Sequence, residues 1–381
     1  MIASGEFPLV RILLDYRPAL RQRTGVGEYV HELARGLVAT SDDNDEQLVL
    51  FSASWKDRLA PSVVPGASVI DRKVPVRLLN LAWHRLGWPP IERLAGQHLD
   101  VVQAFHPLAI PSRRAARVIT IHDLDFLDHP ERTRAEIRRD YPALAAANAR
   151  RADHIIVNSE TTSAAVRERF GIEADRLTVC YPGAPPWSRR TDEPGQPCLL
   201  FLGALEPRKN VGVLLEAYRR LLHHLPDAPP LVIAGPPGAD SKTILAHASD
   251  RPLAGRVEFP GYIKDSEREA LFRRALVFIM PSHTEGFGMP VLEAMTVGVP
   301  VVVADRGALP EVVGDAGLRF EPDGAESLEG LLSELIQNSQ HRQILRERGW
   351  RRARQFSWQD SARSLRQAWR KARDRRGTVH G

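Results

Sequence analysis

Two α/β domains, each built on a parallel sheet, are predicted by three features of the sequence. Short β-branched runs alternate with longer amphipathic stretches throughout the 381 residues, the grammar of strands joined by crossover helices. The runs are apolar at nearly every position, as suits strands covered on both faces. The alternation breaks once, at PGAPPWSRRTDEPGQP (182–197), whose five prolines and lack of periodicity can continue neither a helix nor a central strand. A chain of this length is also too long for one ordinary core and fits two domains of about 150–200 residues.

In chain order, the first half offers the strand candidates LVRILLD (9–15), QLVLFS (47–52), VVQAF (101–105), RVITIHD (117–123), HIIVNS (154–159) and LTVCYP (177–182). Between them fall the helical patterns GEYVHELARGLVA (27–39) and ERTRAEIRRDYPALAAANARRA (131–152). The second half repeats the scheme with CLLFLGA (198–204), PLVIAGP (230–236), RVEFPGY (256–262), LVFIMPS (276–282) and VPVVVAD (299–305). The expected boundaries are a first domain at 1–183, a linker at 184–197 and a second domain at 198–356, followed by a helix and basic tail at 357–381. In that tail, FSWQDSARSLRQAWRKARDRRG (356–377) has Ser357 placed as N-cap, with Trp358, Ala362, Leu365 and Trp369 on one apolar stripe. The positive residues Arg363, Arg366, Arg370, Lys371, Arg373, Arg375 and Arg376 are expected outside.

Composition narrows the function classes. No apolar run approaches the ~20 residues of a membrane span. The start, MIASGEFPLVRILLD, lacks the charge, apolar stretch and cleavage site of a signal peptide. Cys180 and Cys198 form no disulfide framework or metal spacing, so a reducing cytoplasm is the expected setting. The net charge of +5 is uneven: residues 341–381 carry 13 Lys/Arg against 3 Asp/Glu, which leaves the rest mildly acidic. No nucleic-acid partner is expected. The basic tail suits either peripheral contact with an anionic membrane or a merely solvated face.

Chemistry is expected beyond the carboxyl ends of the strands, where open α/β sheets bind ligands, in a cleft between the domains. HTEGFGMPVLEAM (283–295) holds Glu285 and Glu293 around a Gly-Phe-Gly turn. Pro290 suits the first turn of a helix that stops near Gly298. The amides of Gly286, Phe287, Gly288 and Met289 would then face outward at a positive helix end, an anion site open to close approach. Glu293, one turn in, is placed to accept hydrogen bonds from a ribose diol. On their own, two such glutamates would be no more than a loop acid and a first-turn acid.

Their setting says more. SHTEGFGMPVLEAMTVGVPVVVADRGALPEVVGDAGLRFEPDG (282–324) resembles the signature block of the family-4 retaining glycosyltransferases, whose hallmark is Glu, seven residues, Glu. That resemblance, extending over about residues 10–370, implies the GT-B fold: two facing Rossmann-like domains, a central cleft and a C-terminal helix crossing back to the first. It implies that Glu285 and the following amides lie against the donor sugar and that Glu293 holds the ribose. FLGALEPRKNVGVLLEAY (201–218) resembles the family's diphosphate loop, so Arg208 and Lys209 would neutralise the leaving diphosphate; many members carry Arg where this chain has Ala204. VEFPGYIKDSEREALFRRA (257–275) is similar to the segment whose turn meets the base, here Tyr262 and Ile263. RTGVGEYVHELARGL (23–37) resembles the Gly-rich loop of the first domain, where Gly25, Val26 and Gly27 would let the backbone approach diphosphate or acceptor. VITIHDLDFLDHPE (118–131) is similar to the stretch that places a histidine, here His122, near the reacting centre. IIVNSETT (155–162) is read as structural.

The implied activity is metal-independent retaining transfer of a hexose from a nucleotide-sugar to a glycan or lipid-linked acceptor. The LEPRKN loop resembles those of mannosyl- and rhamnosyltransferases of polysaccharide and O-antigen assembly, which makes GDP-mannose the expected donor. No cofactor is expected, and no metal, although Asp123 and Asp125 spell an acid-x-acid motif. GPPGADSKT (235–243) has the wrong spacing for a phosphate-binding P-loop. A nucleotide-sugar 2-epimerase of similar fold, or a silent nucleotide-sugar-binding subunit, would share much of this pattern.

Overall fold

A computed structural model describes residues 9–20, 23, 25–41, 46–130 and 140–380. The chain forms two compact units, Met1–Gly183 with Ser357–Gly381, and Ala184–Phe356. In unit 1 the strands β1 (Val10–Asp15), β2 (Glu46–Ala53), β3 (Ser68–Arg72), β4 (Val101–Ala104), β5 (Ala116–Ile121), β6 (His154–Val157) and β7 (Leu177–Val179) form one sheet. Its order is β3-β2-β1-β4-β5-β6-β7, parallel throughout. The helices are α1 (Val26–Ala39), α2 (Val76–Leu86), α3 (Ile91–Ala95), α4 (Asp125–Asp128), α5 (Tyr141–Arg151) and α6 (Glu160–Phe170).

Unit 2 contains β8 (Cys198–Leu202), β9 (Leu231–Ala234), β10 (Val257–Gly261), β11 (Ala275–Met280), β12 (Val301–Ala304) and β13 (Leu318–Phe320). They pair in the order β10-β9-β8-β11-β12-β13, again parallel. Its helices are α7 (Val211–His224), α8 (Ser241–Ala248), α9 (Asp265–Arg274), α10 (Met289–Val297), α11 (Leu309–Val313), α12 (Ala325–Gln337) and α13 (Ser339–Ala353). The last helix, α14 (Trp358–His380), packs on unit 1.

All eleven strand candidates are strands. The central ones, such as β4, β6, β8 and β11, are buried at every position, which explains their continuous apolar sequence. Of the helix expected over 131–152, residues 141–151 form α5, and 131–139 lie outside the described residues. Two edge strands, β3 and β13, were not anticipated.

The Pro-rich stretch is not a free linker. The Arg190 amide donates to Val297 O at 2.9 Å, Arg189 pairs with Glu347 at 2.6 Å, and the Trp187 ring lies 5.8 Å from that of Phe272. Residues 184–197 therefore belong to unit 2.

Helix α14 begins as its sequence dictates, with the Asp360 amide bonded to Ser357 Oγ at 3.0 Å. Trp358, Ala362, Leu365, Ala368, Trp369 and Ala372 are buried along one stripe. The expectation that its basic residues all lie outside is corrected at three positions. Arg366 turns inward to Glu46 (2.6 Å), Thr40 Oγ1 (2.7 Å) and Leu37 O (2.7 Å). Arg375 pairs with Asp175, and Arg376 donates to Arg113 O at 3.1 Å. The buried stripe turns these side chains toward the unit surface, where acids and carbonyls capture them. Arg363, Arg370, Lys371 and Arg373 are exposed.

Unit 1 also buries histidines. Burial pulls His31, His84 and His154 from 6.5 down to about 4. Between those limits the unfolded chain takes up protons that the folded rings refuse, so stability is full above about 6.5 and is lost as pH falls toward 4. The unfolding midpoint should therefore drop on acidification from about pH 7 to about pH 5. Circular dichroism melts across that range would check it, and a flat midpoint would show the rings to be solvated.

Candidate active site

Each sheet has one place where the chain reverses its direction of travel across the strands. In unit 2 it lies between β8 and β11, since β9 and β10 build outward on one side before β11 returns to the other. Two loops leaving adjacent carboxyl ends diverge there and open a crevice. The loop after β8 makes a 3₁₀ turn, Pro207–Lys209, and enters α7 through Asn210, whose φ is +51°. The loop after β11 carries Ser282 to Gly288 into α10. The His283 amide stitches the loops together by donating to Arg208 O at 2.9 Å.

Three charged side chains meet at this crevice. Lys209 Nζ donates to Glu285 Oε1, Arg208 Nη1 lies 3.5 Å from Glu285 Oε2, and Ser282 Oγ donates to Oε1 at 2.7 Å. Lys209 is only 8% exposed. Burial pulls its ammonium below the ordinary range, against the attraction of Glu285. For Glu285 burial works upward, but Lys209 and Arg208 outweigh it and hold the carboxyl ionised below its usual value. Arg208 Nε also donates to Glu206 Oε2 at 3.1 Å, so two cations face two carboxylates here, and an incoming anion would have to compete with those acids for Arg208 and Lys209.

Helix α10 supplies further donors. Its first internal bond joins the Val291 amide to Gly288 O at 2.9 Å. The amides of Gly286, Phe287, Gly288 and Met289 precede that bond, at the positive end of the helix. Gly288 has φ +97°, and an added Cβ would lie 2.7 Å from Leu309 Cδ2. The Phe287 side chain is buried edge-on against Phe356, with ring centroids 5.5 Å apart, so Phe287 offers main chain alone. Glu293 sits one turn in, and its Oε2 is gripped by Arg268 from α9 at 2.8–2.9 Å. Burial raises its carboxyl while Arg268 opposes the shift. Tyr262 and Ile263 are half-buried just past the carboxyl end of β10.

In unit 1 the reversal lies between β1 and β4. Asp15, at the end of β1, is fully buried and bonded by Arg17 through two 2.7 Å contacts, with His106 Nε2 at 3.3 Å. Burial opposes its charge, but Arg17 and His106 hold the carboxyl well below the usual range. Arg17 also stacks 4.8 Å over the Trp83 ring. His122 follows β5, and both ring nitrogens are engaged. Nε2 lies 3.1 Å from Phe105 O, which can only accept, so Nε2 carries the hydrogen and Nδ1 accepts from Asn158 at 2.7 Å. Burial keeps the ring neutral, its pKa below the ordinary value. Such a ring is fixed rather than free to shuttle protons.

The Gly25-Val26-Gly27 segment divides in its roles. Gly25 is the exposed residue before α1. Gly27 is buried, and a Cβ there would lie 2.7 Å from Pro18 O. Its small size thus serves packing against the chain's own backbone. Asp123, part of the acid-x-acid motif, accepts the Asp125 amide at 3.2 Å in a local turn.

Arg268, Ser282, Asn158, Asp15, Arg17 and His106 were not singled out from sequence. Ser282 and Asn158 lie within quoted motifs, and a buried Asp closing an apolar run is a signal that would have found Asp15.

Residues 23–186 match the family described as Glycosyltransferase Family 4, and residues 186–352 match Glycosyl transferases group 1. An O-antigen chain mannosyltransferase B from Escherichia coli is 28% identical over 377 residues, covering 92% of this chain and 97% of that protein. A serotype-specific mannosyltransferase WbdA, also from Escherichia coli, is 28% identical over 64% of this chain and 32% of its own length. Among solved structures, a sucrose-phosphate synthase from Thermosynechococcus elongatus superposes with a TM-score of 0.75 at 19% identity, covering 95% of this chain and 98% of that one.

Proposed function

The chain belongs to the family-4 glycosyltransferases and has the GT-B fold, and from that premise we propose that it transfers mannose from GDP-mannose, with retention and without a metal, to a glycan or lipid-linked acceptor in the cytoplasm. The observation that carries the donor side is the cluster of Lys209, Arg208 and Glu285 at the β8–β11 crevice, next to the start of α10. Mannose as the sugar is supported by the names of the two Escherichia coli relatives.

In this reading the diphosphate rests against Lys209, Arg208 and the α10 amides, and Glu285 with those amides meets the sugar. The bond from the anomeric carbon to the diphosphate oxygen breaks, with the electron pair leaving on the diphosphate. The acceptor hydroxyl forms the new bond on the same face and gives its proton to the departing oxygen. Stabilising the leaving charge with prepositioned donors is the main contribution of the protein. Glu293, with Oε2 fixed by Arg268, presents its remaining acceptor capacity to the ribose diol, and Tyr262 and Ile263 flank the base. His122 presents a fixed neutral ring just past the carboxyl end of β5.

Glu293→Gln tests the donor assignment while keeping the shape of the site. Losing a charged acceptor for the diol should weaken GDP and GDP-mannose binding by about 1.5–3 kcal/mol. Binding calorimetry, together with a thermal-shift panel of nucleotides, should rank GDP first for the parent and show the loss in the variant. Equal GDP affinity in parent and variant would remove the ribose assignment; a stronger shift with UDP would replace the donor.

A further inference from the structure

Helix α2 has two apolar faces, and only one is covered. Leu79 and Trp83 point inward at 3% and 4% exposure, joining the unit 1 core with Phe51 and Ala53. Leu78 at 63% and Leu81 at 58% face away from these, and Leu86 at 74% and Trp88 at 51% project from the exposed C-terminal end of the helix. These four are half of the eight exposed large apolar side chains among the described residues. Single exposed leucines are ordinary, but a cluster on one short element marks a contact surface.

Along the helix and its flanks the charges of the sequence have one sign. From Arg72 to Ile91 the sequence holds no acid, while Arg72, Lys73, Arg77 and Arg85 are basic. All four are exposed in the structure. Arg85 meets Asp140 at 3.3 Å, but both partners are largely in solvent, where such a pair is weak and screened. Arg93 lies 5.8 Å over the Trp88 ring, adding a cation beside the one aromatic group. An apolar face bordered by Lys and Arg, with a Trp at its margin, is the composition that settles into the headgroup region of a negatively charged membrane.

We propose that α2 is an interfacial helix that lays Leu78, Leu81 and Leu86, with Trp88, into the surface of an anionic bilayer. Among the described residues no helix is long and apolar enough to cross a membrane, so the contact is peripheral. The helix follows the carboxyl end of β3, and its Asn80 accepts from Arg17 at 2.8 Å. The patch therefore lies on the same edge of unit 1 as Asp15 and His106, and the bilayer surface is held beside that edge. The inference is independent of which donor or acceptor the enzyme uses. It also moves the membrane contact away from the C-terminal tail, three of whose cations are tied to unit 1.

The test is flotation of the full chain at low salt with vesicles of phosphatidylglycerol and phosphatidylcholine in equal parts. Combining Leu78→Gln, Leu81→Gln and Leu86→Gln should cut the bound fraction about tenfold, with the circular dichroism melt unchanged because the side chains are exposed. Lys73→Gln with Arg85→Gln should abolish the preference over pure phosphatidylcholine vesicles. A control combining Arg370→Gln, Lys371→Gln and Arg373→Gln on α14 should still float. The proposal is overturned if the parent does not float or if the leucine variant floats like the parent. It is equally overturned if binding follows the α14 cations, or if sedimentation shows the parent as a dimer that the leucine variant dissolves.

Discussion

Lys209→Ala is expected to reduce turnover by about 10²-fold or more, the cost of losing a prepositioned charge at a leaving group. The ammonium is nearly buried and sits between Glu285 and the crevice, so water cannot replace it. Its removal also leaves the Glu285 carboxylate to Arg208 and Ser282 alone. Lys209→Arg, which keeps the charge, separates the two effects: a stable variant with partly recovered kcat assigns the loss to electrostatics. Steady-state kinetics should show the fall in kcat, with KM for the donor moving less. EDTA should leave the parent active. Inhibition by EDTA that Mg²⁺ or Mn²⁺ reverses would return Asp123 and Asp125 to the mechanism.

Trp369→Ala should cost about 3–5 kcal/mol of stability, the range for emptying a buried aromatic site. The indole is 2% exposed, and its Nε1 donates to Gln103 Oε1 at 3.2 Å beneath the sheet of unit 1. Gln103 spends its amide on Thr120 and Ala104, so the variant strands the Gln103 oxygen as well as opening a cavity. Denaturant melts should show a lower midpoint for the transition that includes unit 1. Trp369→Phe, which retains most of the volume, should recover part of it. A midpoint unchanged in Trp369→Ala would mean that α14 is not integral to unit 1.

The strands were legible because most are buried on both faces, which writes an unbroken apolar run into the sequence. β3 escaped because SVIDR is an edge strand of mixed polarity, and β13 because LRF is three residues long. The motifs around Lys209 and Glu285 could each be seen locally, but their contact spans 76 residues and belongs to topology rather than spacing. Arg268 is one arginine among several in EREALFRRA, and nothing local selects it as the partner of Glu293. Arg366 looked like its solvated neighbours because the acid that captures it, Glu46, lies 320 residues earlier. The leucines of α2 carry no mark of exposure in the sequence, since sequence alone does not reveal which side of a helix lacks a neighbour.

The return of α14 to unit 1 has a consequence for how the protein comes into being. Unit 2 is continuous, from Ala184 to Phe356, and its two ends are joined by the Ala184 amide bonding to Phe356 O at 3.0 Å. A segment with closed ends and its own core can fold as soon as it leaves the ribosome. Unit 1 cannot, although most of it is translated first. Its sheet waits, with the sites for Trp358, Leu365 and Trp369 unfilled, until residues 358–380 have been made. The earlier-born part of unit 1 is thus the last to mature, and losing residues 358–380 would injure a sheet made hundreds of residues before them.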